Sequence, residues 1–417
     1  MRKLALGLWL AAAGAFATPL DPNFTEAAPT AGIGGQATGF AWVPDATGRM
    51  FILRKDGVVR VLQNGTLQAN PWVTEPNVFT NSECGLIGIA FDPGFLTNGY
   101  VYLFVTKSNT EQRIVRYTDV GGAGTARTEI VTNLPTAGNN HDGGGVFIGP
   151  DGRLYWAIGD LGNGTGVDAN LTSLAAKIGR TRRDGTVPID NPFWDGAGTN
   201  HDSIWARGFR NPFTMMMQPS TGLFWVNTVG TSYEVIFIPR IGEHAGYNDY
   251  EVTQPAGFLR PSLWYDTGGA GARGLASAAN NGLVRVNGTL TFTTTGDQYF
   301  HPGQRLSIAG AADSSFNGPV YVTRRLSQRV FTAAQAGANA VSGGGTATPV
   351  DPGSCITGGA FYDSSRVPQA YRGNFFFGDC VSGSFAPVAT RNCHSTRSWP
   401  VIISVTGCST CRRVFIS

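Results

Sequence analysis

One pattern constrains this chain more than any other: an apolar strand, a turn built on Pro-Asp or Pro-x-x-Gly, then a second apolar strand. It is written "GFAWVPDATGRMFILRKDG" from Gly39, "GIAFDPGFLTNGYVYLFV" from Gly88, "GGVFIGPDGRLYWAIGD" from Gly144 and "NPFTMMMQPSTGLFWVN" from Asn211, with a longer version, "GGAFYDSSRVPQAYRGNFFFGD", from Gly358. Each copy reads as a β-hairpin, since β-prone residues flank a turn of the type that reverses a strand. Copies spaced by about 50–70 residues leave room for about four strands each, the mark of a β-propeller. One such small sheet cannot bury both its faces, whereas several packed face to face can.

Composition agrees with this reading. Glycine is abundant at 57 residues and only 14% of the chain is charged, which suits a turn-rich all-β protein. With 417 residues, 42% of them hydrophobic, the core has ample material. A net charge of +3 with no Lys/Arg-rich run argues against nucleic acid as a partner.

The repeat is interrupted in three places. Residues 1–17 carry Arg2 and Lys3, a short apolar run from Leu4 to Ala13, and Ala15-Phe16-Ala17, an A-x-A-like cleavage site. They read as a secretory signal peptide, too short in its apolar part for a membrane span. The mature chain is therefore expected in the periplasm or secreted, with no membrane span after cleavage. Residues 278–350 form a run of short Thr/Val-rich strands closed by the linker-like "VSGGGTATPVD", expected to be a small inserted β-domain between propeller parts 18–277 and 351–390. Residues 391–417 lose the hairpin grammar and hold three of the six cysteines. Cys408 and Cys411 with Cys393 upstream make half a zinc pattern and no more. Cys355 and Cys380 flank one hairpin and are the candidate disulfide.

Three polar constellations precede or follow the hairpins. His141, in "NNHDGGG", is either a general base facing the central channel or a turn residue bonded to a neighbouring carbonyl, and the residues alone leave both open. The glycines after it suit the close approach of a flat ligand. In "RGFRNPF", Arg207 is expected to pair with a carboxylate between blades, while Arg210 offers a donor fork to a carboxylate or developing oxyanion. The loop at Val229 and Gly230, with Glu234, has the hard oxygen donors that suit Ca²⁺.

Together "SECGLIGIAFDPGFLTNGYVYLFV", "NHDGGGVFIGPDGRLYWAIGD", "KIGRTRRDGTVPIDNPF", "RGFRNPF" and "ITGGAFYDSSRVPQAYRGNFFFGD" resemble the soluble glucose/sorbosone dehydrogenases that depend on pyrroloquinoline quinone (PQQ). The likeness runs in order from about residue 30 to 382, with 278–350 outside it. It implies a six-bladed β-propeller, here with its last blade missing or altered, since five hairpins are visible. It implies His141 as the base that takes the proton from a sugar C1 hydroxyl as hydride passes to PQQ, with Arg210 stabilising charge on the quinone. It further implies Arg210, Asn211 and Glu83 at the cofactor, Val229, Gly230 and Glu234 at calcium, and a soluble electron acceptor, a cytochrome or quinone.

The chain departs from the family at Thr228-Val229-Gly230, where a carboxylate is usual at the first position, and at Gly246-Tyr247-Asn248-Asp249. Two other readings follow from these departures and from the altered tail. One is a non-catalytic extracellular propeller that binds carbohydrate or protein. The other is a product of a gene shifted in frame past Ser382.

Overall fold

The computed structural model describes residues 32–388 apart from 164–165, 268–270, 303, 351–352, 363–371 and 380–384. The signal-peptide expectation at 1–17 and the zinc half-pattern near 393–411 lie outside the described residues.

The chain is all-β, in a propeller-like arrangement. The first sheet runs Ala37–Trp42, Arg49–Arg54, Val58–Gln63 and Thr66–Leu67, with Val73–Thr74 added beside its third strand. The second is Leu86–Phe91, Tyr100–Thr106, Glu111–Val120 and Ala123–Pro135. The third is Val146–Ile148, Leu154–Ile158, Lys177–Thr181 and Ile204–Arg207, and the fourth Pro212–Met217, Phe224–Thr228, Tyr233–Phe237 and Leu263–Asp266. Ile356–Tyr362, Asn374–Asp379 and Phe385–Val388 form a three-stranded sheet after them. Every hairpin read from the sequence is an antiparallel pair of first and second strands in one of these sheets.

The Pro-Asp turns work by side-chain chemistry. The Asp45 carboxylate accepts the Thr47 amide at 2.9 Å, and Asp151 accepts the Arg153 amide at 3.1 Å. Each is an Asx-turn that offers the backbone a partner while the chain reverses.

The first strands of successive sheets lie side by side, so the sheets follow one another as blades do. Apolar side chains fill each gap. Phe51, Trp72, Leu103 and Val115 pack between sheets one and two, with Phe51 and Trp72 ring centroids 4.7 Å apart. Tyr102, Phe104, Trp156 and Ile204 pack between two and three. Phe147, Tyr155, Trp205 and Phe224 pack between three and four, and Trp225, Ile236, Ile356 and Phe375 between four and the three-stranded sheet. This packing holds the loops at one end of the sheets at fixed distances.

Eight further strands, from Arg273–Gly274 to Thr346–Pro349, make a separate sheet with its own core of Leu283, Leu290, Phe292, Phe316 and Phe331. It leans on the outer strand of the fourth sheet. Trp264 Nε1 donates to the Tyr299 carbonyl at 2.7 Å, the Trp264 and His301 rings stand 5.2 Å apart, and Arg273 pairs with Asp266 at 3.0 Å. Burial pushes the His301 imidazole down to about 4, so it packs there as a neutral ring.

Cys355 is disulfide-bonded, while its expected partner Cys380 lies outside the described residues. Among the described residues no helix is long and apolar enough to cross a membrane.

Trp225 is 1% exposed and bridges two sheets. Its replacement by alanine is expected to cost about 3–5 kcal/mol, read as a lower denaturant midpoint at unchanged slope.

Candidate active site

All the polar residues singled out in the sequence fall at one end of the sheets. Glu83, His141 and the Arg210-Asn211 pair precede first strands, Thr228 closes a second strand, and Glu234 lies at the start of a third. In antiparallel blades these positions share an edge, which is why residues far apart in sequence meet there.

Glu83 is the joint between three sheets. Its Oε2 accepts the His141 backbone amide at 2.8 Å and the Asn211 amide group at 2.9 Å. Asn211 in turn accepts the Gly143 amide at 3.1 Å. His141 adopts φ 61°, a left-handed conformation that few side-chain-bearing residues take. Its Nδ1 is bonded to Asp160 Oδ1. A carboxylate can only accept, so Nδ1 carries the proton of the neutral ring and Nε2 is left with its lone pair.

Asp160 is the residue the sequence analysis missed, although its place at the end of the same hairpin is a signal for it. It closes the hairpin that His141 opens, and the hairpin brings the two ends together: the Gly144 amide bonds the Ala157 carbonyl at 3.2 Å. The Asp160 amide then donates to the Arg210 carbonyl at 2.7 Å, stitching the third sheet to the fourth.

Arg210 is oriented by two acceptors: its Nε donates to the Tyr247 hydroxyl at 3.2 Å and its Nη1 to the Val229 carbonyl at 3.1 Å. Tyr247 also meets Thr231 Oγ1 at 3.1 Å. The sequence treated Tyr247 only as part of a departure; here it is the hydroxyl that fixes the arginine.

The calcium expectation meets a mixed arrangement. Glu234 is fully buried; its Oε2 accepts the Ile356 amide at 2.7 Å while Oε1 has no hydrogen-bond partner. Burial pushes its carboxyl up to about 8, opposed first by the Ile356 amide, with Asp379 adding to the rise and Gly230 and Arg210 lowering it further. An orphaned buried carboxylate oxygen suits a hard cation, yet the Val229 carbonyl is already engaged by Arg210. Thr228, where the family usually has an acid, is buried with its hydroxyl unpartnered. Among the described residues no three His, Cys, Asp or Glu side chains gather as a metal cluster.

The glycines after His141 are packed on the side where a side chain would stand. A Cβ on Gly143 would sit 2.3 Å from the Ala157 carbonyl, one on Gly144 2.9 Å from Ile87, and one on Gly145 2.5 Å from Met215, so each position has room only for a residue without a side chain. One expectation is corrected: among the described residues Arg207 pairs with no carboxylate, and it donates instead to the Ala169 carbonyl at 3.0 Å and lies over the Phe193 ring.

Beside it sits a cluster that the sequence did not signal. Lys177 is buried and donates to the Val167 and Ala175 carbonyls at 2.6 and 2.7 Å, while His244 pairs with Asp168 at 2.9 Å. These bonds hold down the loop that starts at Asp160.

Fold and site together define an all-β propeller with a polar assembly across the loop ends of three sheets. The soluble aldose sugar dehydrogenase from Escherichia coli shares the fold, with TM-score 0.58 and 18% identity over 89% of this chain and 86% of that one. Residues 36–254 match the family model described as Glucose / Sorbosone dehydrogenase, and the chain belongs to that family. Aldose sugar dehydrogenase YliI of Escherichia coli strain K12 is 28% identical over 227 residues, covering 50% of this chain and 57% of that protein. Quinoprotein glucose dehydrogenase B of Acinetobacter calcoaceticus is 29% identical over 165 residues, 33% of this chain and 34% of that one. The matched stretch thus spans little more than half of the first relative and a third of the second.

Two substitutions test how the site is held. A Cβ on Gly159 would lie 2.2 Å from the His141 carbonyl and 2.7 Å from the Arg210 carbonyl. Gly159→Ala should therefore cost about 1–3 kcal/mol, more than Gly152→Ala, whose Cβ meets nothing within 4 Å and whose cost comes only from its φ of 70°; urea midpoints of the two rank them. Lys177→Met should cost about 1–3 kcal/mol by leaving two carbonyls unpaired, measured the same way.

Proposed function

We propose that this chain is an exported PQQ-dependent dehydrogenase of aldose-type sugars, in which His141 removes the proton from the C1 hydroxyl. The observation that carries this reading is the His141–Asp160 bond. The carboxylate fixes the tautomer with Nε2 as the accepting nitrogen and stabilises the imidazolium formed when a proton arrives. Family membership and the word "quinoprotein" in a relative's name support PQQ. When bound, PQQ supplies the two-electron acceptor.

The chain's own residues do the rest. Arg210, braced by Tyr247 and Val229, presents a fixed guanidinium where negative charge would develop. Asn211 and Glu83 lock the two loops that would frame the cofactor. Val229, Gly230 and Glu234 would hold calcium, which would favour the ionised form of the buried Glu234 and help fix the cofactor. The reading includes a six-bladed ring and a soluble cytochrome or quinone as electron acceptor.

The test is reconstitution of the mature protein with PQQ and Ca²⁺, followed by dye reduction with a panel of aldoses. His141→Ala is expected to lower kcat by about 10²–10⁴-fold. Arg210→Ala is expected to lower it by about 10²–10³-fold. Full activity in the His141 variant would overturn the assignment, and an absence of both PQQ binding and dye reduction in the native protein would overturn the reading itself.

A further inference from the structure

We propose that Cys84 and Asp142 form a buried positioning pair that sets the conformation of His141; this rests on His141 being the base. Residues 83–84 and 141–142 face each other as two successive links. Glu83 takes the His141 amide, and one residue along, Cys84 Sγ donates to Asp142 Oδ2 at 3.0 Å. Both Cys84 and Asp142 are fully buried. The second carboxylate oxygen accepts the Thr136 hydroxyl, and the Asp142 carbonyl accepts Gln112 Nε2 at 3.0 Å. These contacts of Asp142 are therefore to the second sheet and to the loops on either side of it.

The consequence falls on its neighbour. His141 is held at φ 61°, a conformation that persists only where the surroundings over-determine it. The ring's bond to Asp160 holds the side chain, and the backbone on either side of it is fixed by other contacts. The amide bond to Glu83 fixes one side of the residue and the anchored Asp142 the other. Burial pushes the Cys84 thiol up to about 12, so it stays protonated and remains a donor. Neither side chain reaches the site, so the pair acts through His141 alone as a positioning device.

The experiment compares Cys84→Ala, Cys84→Ser and Asp142→Asn. The first readout is the downfield Nδ1–H proton resonance of His141 in the protein without cofactor or substrate, assigned by its loss in His141→Ala. The second is the split between kcat and KM in the reconstituted dye assay, and melting temperature reports folding. Cys84→Ala and Asp142→Asn are expected to shift or broaden the resonance and to lower kcat by about ten- to a hundredfold, with KM nearly unchanged. Cys84→Ser, which restores an O–H donor, is expected to recover both.

A filler role predicts the reverse order, since alanine would be tolerated in an apolar niche and a buried hydroxyl would not. An unshifted resonance in Cys84→Ala, or a serine variant no closer to the native protein than alanine, would overturn the proposal. The resonance is read without turnover, so it still decides the matter if the dehydrogenase reading fails. Should Asp142→Asn not fold, the alanine and serine pair carries the test.

Discussion

The backbone hydrogen bond from the Asp160 amide to the Arg210 carbonyl, at 2.7 Å, is the interaction on which the candidate site depends. It joins the end of one hairpin to the start of the next, and it can form only because the third and fourth sheets already lie face to face. Gly159 sits where the His141 and Arg210 carbonyls converge, with no room there for a Cβ. The His141 ring, its Asp160 partner and the Arg210 guanidinium thus stand on a main chain joined across the two sheets. This is a more rigid support than side chains on free loops could give.

The apolar gaps between sheets make that main-chain geometry available. Phe147, Tyr155, Trp205 and Phe224 form one aromatic group between the third and fourth sheets, with centroids 4.6–5.2 Å apart. Close-packed interiors yield little to small displacements, so the loop ends above them hold their separation. The first strands of four sheets also carry a register shift near their starts, at Ala37/Gly39, Leu86/Gly88, Pro212/Thr214 and Thr357/Ala360. Bulges at a sheet's end re-aim the residues beside them, and here they lie at the end that carries the site.

The hairpins were legible because turn chemistry and strand pattern are local: Asp45 and Asp151 act within two residues of themselves. His141, Glu83, Arg210 and Asn211 could be placed at one end because each adjoins a strand start. What stayed hidden was pairing across sheets. Nothing local says that Tyr247 reaches Arg210 or that Cys84 faces Asp142. The need for three successive glycines was hidden for a related reason: Ile87 of the second sheet, Ala157 of the hairpin's own second strand and Met215 of the fourth sheet stand where their side chains would go. Lys177 misled less than it hid, since a lysine opening an apolar strand gives no sign that two carbonyls await it.

The inserted sheet shows the same logic at larger scale. It leaves after Leu263–Asp266 and the chain re-enters at Ile356–Tyr362, so both connections lie at the end of the sheets that carries His141 and Arg210. An insertion whose ends stay close adds little loop-closure cost and need not disturb the packing beneath it. It is not merely tethered there. Tyr299 meets Tyr233 with centroids 6.4 Å apart, and Tyr233 shares the Glu251 carboxylate with the amides of Thr231 and Ser232. Thr231 meets Tyr247, which holds Arg210. A continuous path of contacts therefore runs from the inserted sheet to the guanidinium. The element that lies outside the propeller repeat is also the one that buttresses the loop next to its site.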